Sequence, residues 1–146
     1  MDFLPRVINA LVSLHPPHSL TVHFPIAFSA LGVLLLALAW WRREECLERS
    51  AFLVMALTAI ATLVAGAVGM RDNLVRYGGQ APFAATKVVL AVVLLLLSVG
   101  LVLVRRRQTG VGWNTNPMLF YLIAFGVCFG LAGVLGFLGG AIVWGF

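Results

Sequence analysis

All three histidines of the chain, His15, His18 and His23, stand in one stretch, LHPPHSLTVHFPIAF at 14–28, where a polar turn runs into an apolar segment. Neutral imidazole ligates metals and hemes, passes protons and bonds carbonyls, so this cluster is the first place to look for chemistry. Near a helix N-terminus the positive end of the backbone dipole disfavours imidazolium, which leaves a ring nitrogen free to coordinate. Pro16 and Pro17 hold the chain extended after His15, and a helix starting near Ser19 then contains Pro25. Pro25 has no amide proton for the Thr21 carbonyl, which predicts a bend or an opened turn beside His23. Freed backbone at membrane depth persists only under protein or beside a cavity, so His23 is expected to look inward.

His18 and His23 lie about 140° apart on a helical wheel and cannot serve one face of a single helix. A three-histidine metal site therefore needs His15 to fold back and is strained. Three roles stay open for His23, which is also the candidate metal ligand. It is a capping or packing residue bonded to a carbonyl or to Asp72, an axial ligand of a heme b whose ring Asp72 would orient, or part of a quinone or proton site.

The elements that must position these residues follow from composition. Of 146 residues, 62% are hydrophobic and 10% charged, and the mean hydropathy is +1.04, which is membrane-protein composition. Four runs, at about 19–41, 50–70, 82–104 and 117–146, are long enough to cross a hydrocarbon layer of about 30 Å. They are continuously apolar where barrel strands would alternate, so the expected fold is an all-α bundle of four transmembrane helices in one domain, 1–146. Ser19, Ser50 and Asn116 suit N-caps, and Pro82 and Pro117 suit a first helical position. Ahead of the spans, residues 2–14 form an amphipathic pattern, with Phe3, Leu4, Val7, Ile8 and Leu11 on one half of the wheel, which predicts a short interfacial helix. Trp40, Trp41 and Trp113 fall at one level of the bundle, Tyr77 and Trp144 at the other, as headgroup-level rings do.

Arg42, Arg43, Arg49 and the run Arg105, Arg106, Arg107 share one side of the membrane; Arg6, Arg71 and Arg76 share the other, with Lys87 one turn into the third span. The excess places the first set in the cytoplasm and both termini outside, so the histidines come to the outer face. The net charge of +5 is thereby topological, and no basic-aromatic surface for nucleic acid exists. Cys46 and Cys128 match no metal or redox spacing. Ala59, Thr62, Gly66 and Gly69, then Gly126 with Gly130 and Gly136 with Gly140, form small-residue ridges suited to close helix packing or to clearing a planar cofactor. No nucleophile–base constellation, carboxylate pair or inverted repeat points to an enzyme acting alone or to a transporter.

HPPHSLTVHFPI at 15–26 resembles the HPxHPxxVHFPI signature of bacterial four-helix membrane proteins known as domain-of-unknown-function family 2231. GMRD at 69–72 is similar to that family's Gly-x-x-Asp, and GVLGFLGGAIVWG at 133–145 to its glycine-rich ending. The resemblance covers nearly the whole chain. It implies motif positions at His15, Pro16, His18, Val22, His23, Phe24, Pro25, Gly69 and Asp72. Since relatives occur joined to Rieske or cytochrome c domains, it also implies an outer-face electron-transfer setting and heme b. Lys87 stands where many relatives carry a further histidine, and Ala141 where they carry an acid. A second heme ligand would then have to be His15, His18, Met70, Lys87 or a partner's residue; alternatively Lys87 pairs with Asp72. The expected role is a small subunit or anchor of a respiratory or photosynthetic complex in the inner membrane, beside other membrane subunits and a soluble cytochrome or Rieske-type partner. The alternatives are an assembly protein without cofactor and a quinone-site subunit.

Overall fold

The four apolar runs become four helices in the computed structural model, which describes residues 20–108 and 113–144. They are α1 (His23–Arg42), α2 (Glu45–Tyr77), α3 (Ala84–Arg106) and α4 (Thr115–Trp144). Each is long and apolar enough to cross a membrane, and the described residues contain no strand, so the fold is an all-α transmembrane bundle. The interfacial helix expected over 2–14 lies outside the described residues. Helix α1 packs on α2 and α4, and α3 packs on the same two, which closes the helices into a ring with α1 and α3 across the diagonal. One end carries the arginine-rich turns, the other His23 and the α2–α3 turn.

Helix α2 outruns its apolar stretch at both ends. Glu45 and Glu48 in its first turn and Arg76 in its last complement the backbone dipole, which extends the helix through polar residues that hydropathy alone leaves outside. It stops at Gly78, whose left-handed φ of 57° lets its amide bond the Asn73 carbonyl. The side chain of Asn73 then accepts the Ala81 amide at 2.9 Å, tying the turn to the helix. Asp72, expected after the second span, is therefore on α2. Pro82 stands two residues before α3, in the turn that leads into it, instead of opening it.

At the start of α1 the helical ladder lapses at Val22, with Leu20 and Thr21 helical before it, so a turn opens beside His23 as proline chemistry predicts. Pro25 occupies the first turn of α1, where its missing amide proton is not needed. At the other end Arg43, with φ 55°, joins α1 to α2 through a link of Arg43 and Glu44 alone, and both amides bond the Ala39 carbonyl.

The buried face of α1 is Pro25, Ser29, Gly32, Leu36 and Ala39, alternating steps of four and three. Buried hydroxyls close back on their own helices: Ser29 donates to Pro25, Thr62 to Thr58 and Ser98 to Leu94, at 2.7, 2.8 and 2.8 Å. Helix contact is closest at Gly32, where a Cβ would meet the Phe125 ring at 3.3 Å, and at Gly136, where it would meet Ile26 at 2.7 Å. The expected ridge of Gly126 and Gly130 does not mediate an approach, for nothing lies within 4 Å of a Cβ at either. Gly32, an isolated glycine in a leucine-rich run, does that work because it lies on the buried face of α1.

Candidate functional site

His23 does not look inward. Its side chain is exposed, because Pro25, two residues on and about 200° around the helix, takes the face toward the bundle. No hydrogen bond joins His23 to Asp72. The Asp72 carboxylate is partly buried instead, and its Oδ2 is sealed from solvent without a hydrogen-bond partner. Lys87 is likewise half-buried on α3, its Nζ 3.8 Å from where a Gly139 Cβ would stand. It forms no ion pair with Asp72; the pairs Arg49–Glu45 and Arg105–Glu48 stand at the arginine end. His15 and His18 lie outside the described residues, within which no group of three metal-ligating side chains occurs.

A heme b seated inside this chain needs an inward imidazole and a flat gap between helices. Among the described residues His23 does not meet the first requirement. His23 is exposed; Gly32 is covered by the ring of Phe125 and Gly136 by Ile26, while Gly66, Gly126, Gly130 and Gly140 have nothing within 4 Å of a Cβ. Met70, weighed as an opposing ligand, is also exposed.

The arginine end holds a cluster that the sequence reading passed over. Glu48, only 3% exposed, accepts a hydrogen bond from Nε of Arg105 on α3. Arg105 also donates through its terminal nitrogen to the Gln108 carbonyl at 3.1 Å, and its guanidinium lies over the Phe52 ring at 5.7 Å. The Tyr121 hydroxyl donates to Gln108 Oε1 at 2.9 Å. Beneath this layer Phe52 meets Tyr121 and Phe125 edge to face, with centroids 5.2 and 5.3 Å apart. The network thus joins α2, α3, α4 and the turn after α3.

A signal for this cluster was present. Glu48 continues the buried stripe of Ala51, Phe52 and Met55 at helical spacing, and Arg105 continues that of Leu94, Ser98 and Leu101. Apolar runs that start at residue 50 and end at residue 104 place both charges in loops, whereas α2 and α3 extend to include them. Chemically the cluster is an ion pair in which the Nε and one terminal nitrogen of Arg105 donate to protein acceptors, which suits a clamp.

The family model described as "Predicted membrane protein (DUF2231)" matches residues 14–146. No curated protein and no solved structure matches the chain.

Proposed function

Since the chain belongs to the DUF2231 family of predicted membrane proteins, we propose that it is a small anchoring subunit of an electron-transfer complex in the bacterial inner membrane, with its arginine end cytoplasmic and its histidine end outside. The observation that carries this reading is the outward imidazole of His23 in the first turn of α1, flanked by the exposed Leu20 and Phe24. A polar ring on an apolar, bundle-averted face is costly against lipid and is relieved by a neighbouring chain that bonds or ligates it. On this reading a heme b bound through His23 lies between this chain and a partner, either another membrane subunit or a soluble cytochrome or Rieske-type protein at the outer face. Purely structural assembly without a cofactor uses the same surface, and His23 then donates to a partner carbonyl.

Native gel analysis after gentle solubilisation tests the subunit role. The chain is expected in a species much larger than itself, and His23→Ala is expected to release it. A monodisperse species of this chain alone from native membranes would refute the proposal. A heme difference band from the isolated chain would also count against the shared site. For orientation, Arg76→Cys and Arg106→Cys in a Cys46→Ser background are labelled on intact cells with an impermeant maleimide. Labelling is expected at position 76, and labelling at 106 instead would reverse the orientation.

A further inference from the structure

Two opposite charges stand toward the histidine end, on adjacent helices, without forming an ion pair. Along α2 the inward stripe runs Thr62, Ala65, Gly69 and Asp72; along α3 it runs back from Leu101 through Ser98, Leu94 and Ala91 to Lys87. Both charged residues thus occupy inward positions of adjacent helices. The Asp72 Oδ2 is buried and unbonded, and the Lys87 amine has neither a carboxylate nor a hydrogen-bond partner, resting instead toward Gly139 of α4. Unpaired charges at this depth are costly unless a ligand completes them.

The two poles select the ligand. A metal cation would satisfy only Asp72, and an anion only Lys87. A molecule with an anionic group and a hydrogen-bonding cation a few ångströms apart satisfies both. In a bilayer the species of that description is a zwitterionic phospholipid, delivered at headgroup level. The outward faces of Val88, Val89 and Val92 on α3 lead from that level toward the hydrocarbon and suit acyl chains.

We propose that Asp72 and Lys87 are the two poles of a site for a phosphoethanolamine-type lipid headgroup, the phosphate on the Lys87 amine and the primary ammonium on the Asp72 carboxylate. The orphaned Oδ2 calls for an N–H donor, which a primary ammonium has and a trimethylated one lacks. Phosphatidylethanolamine is therefore preferred over phosphatidylcholine, although the two carry the same charges, and over phosphatidylglycerol, whose hydroxyls can donate to Asp72 but bring it no positive charge.

Native mass spectrometry of the purified chain with each lipid added in detergent reads the preference directly. Phosphatidylethanolamine is expected to bind about tenfold more tightly than phosphatidylcholine, as one charge-assisted hydrogen bond contributes on that scale. Asp72→Asn is expected to erase that discrimination and Asp72→Glu to keep it, while Lys87→Gln weakens both zwitterionic lipids alike. Continued protection of Cys128 from thiol reagents confirms that each variant is folded. Equal binding of the three lipids to the unaltered chain overturns the proposal, as does an Asp72→Asn variant that keeps the preference. Competition by soluble phosphoethanolamine as strong as that by the lipid would overturn the assignment to a membrane source.

Discussion

The two halves of this bundle are built from equally apolar helices and packed very differently. Toward the arginine end, Leu36, Phe52, Met55, Leu94, Met118, Tyr121, Phe125 and Cys128 fill one continuous core, roofed by the Glu48–Arg105 pair. Toward the histidine end no residue of α2 beyond Ala65, of α3 before Leu94 or of α4 from 133 to 141 is buried, and Asp72 and Lys87 stand unpaired. Hydropathy does not distinguish the halves, since lipid tails solvate leucine as well as a protein core does. What separates them is shape and polarity: a glycine that admits a phenyl ring, and a carboxylate that finds its cation.

The comparison breaks most readily at the clamp. Glu48→Ala leaves the partly buried Arg105 guanidinium without its counter-ion, a loss of about 3 kcal/mol, read as a lower unfolding midpoint in detergent micelles free of phospholipid. Asp72→Ala, which removes an unbonded carboxylate, is expected to leave that midpoint unchanged or raise it. A drop for Asp72→Ala as large as that for Glu48→Ala would erase the distinction between the halves.

A cavity sharpens it next. Phe125 is fully buried and covers Gly32, so Phe125→Ala is expected to cost about 2 kcal/mol. That lies below the usual range for phenylalanine because little is gained by moving apolar surface from lipid to protein. Phe137 is 73% exposed, and Phe137→Ala should shift stability by no more than about 0.5 kcal/mol. Overfilling follows in size: Gly32→Leu forces α1 away from the Phe125 ring at a cost of about 1–3 kcal/mol, whereas Gly130→Leu meets open space. Parallel unfolding curves for each pair decide both points.

The smallest effect comes from Ser98→Ala. Its hydroxyl is buried but returns to the Leu94 and Leu95 carbonyls of its own helix, so no interhelical bond is lost. The expected change is about 0.5 kcal/mol or less. A larger loss would mean that the buried hydroxyls bind helix to helix.

The sequence displayed the spans because continuous hydropathy is a one-dimensional property, and α1 to α4 answer to it. It showed the lapse at Val22 through Pro25, whose missing proton acts locally. The facing of His23 was not legible in the same way. Opened backbone needs cover at the turn itself, which does not fix the direction of a side chain two positions from Pro25, the residue that takes the inner face. Nor was the Glu48–Arg105 pair visible, since its partners lie 57 residues apart in the chain and each looks like an ordinary loop charge until the helices extend to include it. Asp72 and Lys87 were legible as a candidate pair by depth, but depth does not decide whether two side chains meet, and Lys87 rests toward Gly139 of α4 instead.

The link of Arg43 and Glu44 between α1 and α2 also bears on the order of assembly. It has no slack, so once both segments are helical they are antiparallel neighbours, and their loop-closure entropy is almost nil. Contacts between α1 and α4 close the ring across most of the chain and carry the opposite burden. The hairpin of α1 and α2 should therefore form as a unit early in biogenesis, with α4 docking last. In a pulse-labelling experiment on nascent chains, Cys128 would gain its protection only after α1 and α2 resist separation.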